Sequence, residues 1–106
     1  MILRLDIDAG QPLMTLHHMG WLLRRAGYRL RWLSQTRSPS GKGWHLEAEV
    51  SPTPRRAVEV VALQALLGSD PAREACNLQR ARLVDAGRVP LFWRKRWNVL
   101  YSSTGR

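Results

Sequence analysis

The first nine residues alternate: Leu3, Leu5, Ile7 and Ala9 fall on one side of an extended chain, and Ile2, Arg4, Asp6 and Asp8 on the other. That two-residue period predicts a strand over 1–9 with one covered face and one polar face, ended by Gly10. Pro12 suits the first turn of a helix, and Leu13, Leu16, Met19, Leu23 and Ala26 recur at helical spacing up to the stop at Gly27, so a helix is predicted over 11–26. A second strand is predicted over 28–36, where Arg29 and Arg31 alternate with Leu30 and Trp32, followed by a loop over 37–43. In a third strand over 44–50, Leu46, Ala48 and Val50 point one way and His45, Glu47 and Glu49 the other. Thr53 reads as an N-cap and Pro54 as the first position of a helix whose apolar run continues through Leu67. Gly68 interrupts that helix and Ser69-Asp70-Pro71 restarts it, giving a segment over 72–86 that carries Arg73, Arg80 and Arg82 and stops at Gly87. A last strand is predicted over 94–102, with 103–106 as a flexible tail.

Strand, helix, strand, strand, helix, strand is the ferredoxin-like, or RRM-like, order. In that α+β fold a four-stranded antiparallel sheet carries its helices on one face, and strands one and three are central neighbours. At 106 residues the chain has room for one core, so a single domain over 1–102 is expected. No apolar run approaches the roughly 20 residues of a membrane span. Cys76 is the one cysteine, which excludes an internal disulfide, and the chain starts directly in a strand pattern, so the expected address is the cytoplasm.

Charge changes the picture. Lys and Arg number 17 against 8 Asp and Glu, a formal net charge of +9, so a polyanion is the expected partner, although an arginine-rich composition alone would produce some of the same bias. Lys42 and Lys95 are the only lysines, and guanidinium groups favour bidentate phosphate contacts and stacking on bases. Arg29 and Arg31 on the second strand, and Arg94, Lys95 and Arg96 between Trp93 and Trp97, are the candidate nucleic-acid contacts; charge that keeps strand edges from aggregating is the competing reading. Trp32, Trp44 and Trp97 stack bases if they are exposed, whereas Trp21 is expected in the core or at the edge of the first helix. Cys76 is expected as a buried small side chain, and His17 and His18, being adjacent on a helix, do not form a chelating pair.

Against this basic background, Asp6 and Asp8 on strand one and His45, Glu47 and Glu49 on strand three would share the face away from the helices. Gathered carboxylates repel unless cations intervene, and their oxygens suit Mg²⁺ or Mn²⁺ with Asp6, Asp8 and Glu47 as metal ligands. The alternative is a solvated polar face whose acids pair with Arg4, Arg29 and Arg31. Ser40-Gly41-Lys42-Gly43 offers backbone amides, a hydroxyl and an ammonium beside His45, suited to a triphosphate or to an ordinary hairpin.

Leu5-Asp6-Ile7-Asp8, followed by Ser38-Pro39-Ser40-Gly41-Lys42-Gly43-Trp44-His45-Leu46, resembles archaeo-eukaryotic primases and primase-polymerases over about half the chain. The resemblance implies that Asp6 and Asp8 hold a catalytic divalent metal and that Ser40, Lys42 and His45 hold the phosphates of an incoming nucleotide. The family's later acidic motif has no counterpart in this sequence, and Glu47 or Glu49 could replace it only from a different position. The expected function is a small nucleic-acid-binding protein of replication or related processing, of the kind phages and plasmids encode. It would have a metal-dependent nucleotidyl-transfer site and replication proteins as partners. Competing expectations are a non-enzymatic interaction or dimerisation module, a homodimer included, and a metal-dependent nuclease.

Overall fold

The computed structural model describes residues 1–8, 10–38 and 41–88. The fourth strand and the tail expected beyond residue 93 lie outside them, as do Ser40, Arg94, Lys95 and Arg96. Among the described residues the architecture is α+β, with a three-stranded antiparallel sheet and three helices. The elements are β1 (Ile2–Ile7), α1 (Leu16–Arg25), β2 (Arg29–Arg37), β3 (Trp44–Ser51), α2 (Ala57–Leu66) and α3 (Pro71–Asp85), and the sheet order is β1-β3-β2.

The alternation read in β1 and β3 decides the layers. Leu3, Leu5 and Ile7 and their neighbours Leu46, Ala48 and Val50 are all buried. They pack against Met19 and Leu23 of α1 and Ala57, Val60, Val61 and Leu63 of α2, while α3 backs α2 and adds Ala81 and Val84. Burying aliphatic side chains at about 25 cal/mol per Å² of apolar surface makes this layer the main stabilising element of the fold.

Both helix starts differ from the prolines' signal. α1 begins at Leu16 rather than in the turn after Pro12, because Thr15 is the N-cap: its hydroxyl accepts the His18 N–H at 3.1 Å. α2 begins at Ala57 rather than at Pro54, and Arg56 at its cap position gives no side-chain bond. The free donors are taken instead by Asp85, the last residue of α3, whose carboxylate accepts from Ala57 N at 2.7 Å and Val58 N at 3.1 Å. A carboxylate there satisfies two orphan amides and complements the positive end of the helix dipole.

The outer edge of β1 is closed by the last turn of α2 and the α2–α3 connection. Gln64 Oε1 accepts from Arg4 N, Ser69 Oγ accepts from Asp6 N, and Asp70 N donates to Asp6 O at 2.7 Å. Gln64 and Ser69 belong to a buried polar cluster around Glu74, whose Oε1 accepts from Gln64 Nε2 and Asn77 Nδ2. Burial raises the Glu74 carboxyl above its ordinary value of 4.5, although hydrogen bonds from Ser69, Gln64 and Asn77 pull it down. An acid with a raised folded pKa binds its proton more tightly folded than unfolded, so stability falls as pH rises from about 4.5 through the folded value. Glu74→Gln, which keeps an acceptor and discards the buried charge, is therefore expected to raise the urea midpoint above the parent's at pH 8. The gain should shrink towards pH 4.5, and a lower midpoint at pH 8 would contradict this account.

Candidate functional site

Cross-strand register places Asp6 of β1 opposite His45 of β3, with Arg4 opposite Glu47 and Ile2 opposite Glu49 in the next rows. Asp6 and His45 sit on the sheet face away from the aliphatic layer, yet they are only 4% and 7% exposed. What reaches over them is Arg73, in the first turns of α3, brought beside β1 by the closed edge just described. Asp6 Oδ1 lies 3.2 Å from His45 Nε2, and Asp6 Oδ2 is paired with Arg73 Nε. Burial raises the Asp6 carboxyl while Arg73 and His45 pull it down; burial lowers His45, against the pull of Asp6. Arg73 thus holds one Asp6 oxygen, and His45 Nε2 lies against the other.

Asp8 and Asp70 bring carboxylate oxygens to Asp6, the three lying within 4.8 Å of one another. Asp8 is exposed and Asp70 half-buried, and Asp70 sits at the α3 N-cap without spending its side chain on the helix. The third acid of the cluster is therefore Asp70 and not Glu47, whose Oε2 is bound at 3.1 Å by Arg4 Nε in the adjacent row. For that pair the solvated-face alternative describes the geometry correctly. Reading the sequence missed Asp70 and Arg73 because nothing local marks them: their roles arise when the α2–α3 connection docks on β1.

At the other end of the site Gly43 is buried, and a Cβ there would run into the Ile7 carbonyl oxygen and approach Asp8 Cα. Gly43 is thus a steric requirement for bringing β3 against β1. Lys42 is exposed beside it.

The basic residues separate from this acidic end. Among the described residues β2 is an edge strand, with a bulge at Arg31: Leu30 faces Val50, Trp32 faces Glu49, and Arg31 has no partner on β3. Arg29, Arg31 and Trp32 are all exposed, Trp32 at 41%. Neither arginine forms an ion pair among the described residues. Trp44 does not meet the condition for stacking bases: it is half-buried against the core, and the Arg37 guanidinium lies 4.6 Å from its ring centre. Trp21 also differs, being 51% exposed on α1 with Arg25 stacked at 5.5 Å, because it falls outside the Met19–Leu23 stripe. Cys76 is exposed on α3 rather than buried.

No protein-family model, curated protein or solved structure matches this chain. No helix among the described residues is long and apolar enough to cross a membrane.

Proposed function

We propose that the chain binds nucleic acid, single strands in preference to duplex, along the exposed edge strand β2 of a ferredoxin-like sheet. The observation that carries the reading is the bulge at Arg31, with Arg29, Arg31 and Trp32 exposed together and, among the described residues, no carboxylate paired to either guanidinium. Guanidinium groups neutralise phosphates, and an exposed indole stacks on an unpaired base whatever its identity. The net charge of +9 supplies long-range attraction. Titrating labelled single-stranded DNA, duplex DNA and RNA across a salt series tests this. Single strands should bind with steep salt dependence, and Trp32→Ala should weaken them roughly tenfold or more while sparing duplex, from the ~1–3 kcal/mol of a base stack. Equal loss on all three nucleic acids, or no binding to any, would refute the reading.

A second reading, metal-dependent nucleotidyl transfer of the primase kind, is favoured by one observation: the strand pair Asp6 and Asp8 gains a third carboxylate in Asp70. The donor set fits Mg²⁺ or Mn²⁺, which take carboxylate oxygens. Both Asp6 oxygens already have partners, so Asp8 and Asp70 are the ligands most open to an ion, with Asp6 held behind them by Arg73 and His45. A bound divalent ion would supply charge neutralisation at a triphosphate, and Lys42 stands at the same end of β3. Nucleotide incorporation that requires Mn²⁺ and disappears in Asp8→Asn and Asp70→Asn would establish this activity. Absence of a metal-dependent product, with and without template, would exclude it.

A further inference from the structure

At the far end of the sheet from the acidic cluster, the end of α1, the start of β2 and the end of β3 enclose a cleft of about 400 Å³. Arg24, Arg29 and Arg31 line it together with Tyr28, Ser51 and Pro52. We propose that this cleft is a binding site for a phosphate monoester, carried either by a free mononucleotide or by the end of a nucleic-acid strand. The proposal shares Arg29 and Arg31 with the nucleic-acid surface but stands on the cleft alone.

Three features argue for the monoester. Three arginines line one concavity, and among the described residues none of the three is paired with a carboxylate. Together the three positive charges make the cleft an anion trap, and its wall is mostly polar. A monoester offers two negative charges and three terminal oxygens to three forked donors, whereas an internal phosphodiester offers one charge and two free oxygens. The Ser51 hydroxyl, also without a partner among the described residues, adds a further donor.

Size and walls narrow the ligand further. About 400 Å³ exceeds what a bare inorganic ion fills and lies in the range of small-molecule sites. Tyr28 is held in place at the wall by its hydroxyl, which donates to Glu59 Oε2 at 3.3 Å, and with Pro52 it gives the cleft a firm apolar portion beside the cations. The negative end of the α1 dipole, about half an elementary charge, lies nearby, and three full positive charges outweigh it.

The test uses the whole chain in two arms. In the first, calorimetry compares a nucleoside 5′-monophosphate with the nucleoside lacking phosphate. In the second, 3′-labelled oligonucleotides carrying a 5′-phosphate or a 5′-hydroxyl are compared. Each arm is run on the parent, on Arg29→Gln/Arg31→Gln, and on Arg82→Gln/Arg88→Gln, which removes the same charge at exposed positions outside the cleft. The monophosphate should bind and the nucleoside should not. Affinity should fall roughly tenfold or more in the cleft variant, as expected for losing charge-assisted bonds, and change little in the control. A matching preference for the 5′-phosphorylated strand assigns the phosphate to strand ends; no preference between strands assigns it to free nucleotides. Monophosphate binding that is absent, or reduced equally by both variants, overturns the proposal. The nucleic-acid reading then survives if single strands still bind in a salt-dependent way. Conversely, cleft-dependent monophosphate binding with no binding to any oligonucleotide would uphold the cleft and remove that reading.

Discussion

Asp6→Ala is expected to destabilise the fold by about 3–5 kcal/mol, the usual cost of deleting one member of a buried ion pair. The carboxylate pairs with both His45 Nε2 and Arg73 Nε, and Asp6 and His45 are both buried. Without it an arginine whose side chain is three-quarters buried loses this counter-charge, and buried His45 loses the carboxylate beside its Nε2. For a chain this size that corresponds to a melting temperature lower by more than about 10 °C. Urea or thermal unfolding followed by circular dichroism reads the effect directly. Adding Arg73→Met to the variant should recover part of the loss, since the orphaned charge leaves with it. A single variant within about 1 kcal/mol of the parent would show that the ion pair contributes little, and would free Asp6 to act as a ligand.

Gly43→Ala is the second large effect, at about 1–3 kcal/mol or more, the range of forced overpacking. The clash is with the backbone of Ile7 and Asp8, so no side chain can rotate away; β1 and β3 must part at the row beside Asp6 and His45. Gly41 is the internal comparison. Its φ of +73° strains any other residue, but a Cβ there meets open space. Gly41→Ala should therefore cost only about 1 kcal/mol, the conformational penalty by itself. Equal destabilisation by the two substitutions would contradict the close approach at Gly43. In the parent, the amides paired across the ends of β1 and β3 should resist hydrogen exchange, and in Gly43→Ala the Ile7–Trp44 end should lose that protection first.

The strands of the sheet were legible in the sequence because their signal is local. Leu3, Leu5 and Ile7 against Leu46, Ala48 and Val50 obey a period of two, and that period puts Asp6 and His45 on the same face once β1 and β3 are paired. Helix starts were less legible, since Pro12 and Pro54 are permissive at a first turn without requiring one. The caps that decided the matter were Thr15, three residues further on, and Asp85, 28 residues away from the amide it binds. Distance in sequence likewise hid Asp70, Arg73, Gln64 and Ser69, all polar residues on or near helices whose composition reads as a solvated surface. The arginines of β2 were visible as candidates, but the bulge that exposes Arg31 beside Trp32, and the cleft that joins Arg29 and Arg31 to Arg24, depend on packing that no periodicity encodes.

The closed edge of β1 also constrains the order of events when the chain is made. β1 is synthesised well before the residues that close it: two of its outward amides find their partners 60 and 63 residues later, in Gln64 and Ser69. Until those residues have been synthesised and docked, an apolar strand waits with an open margin able to pair with any passing strand. A nascent chain halted before residue 64 would carry that adhesive margin uncovered, and one extended past residue 85 would hold both the plug and the Asp85 clamp that fixes the helix delivering it.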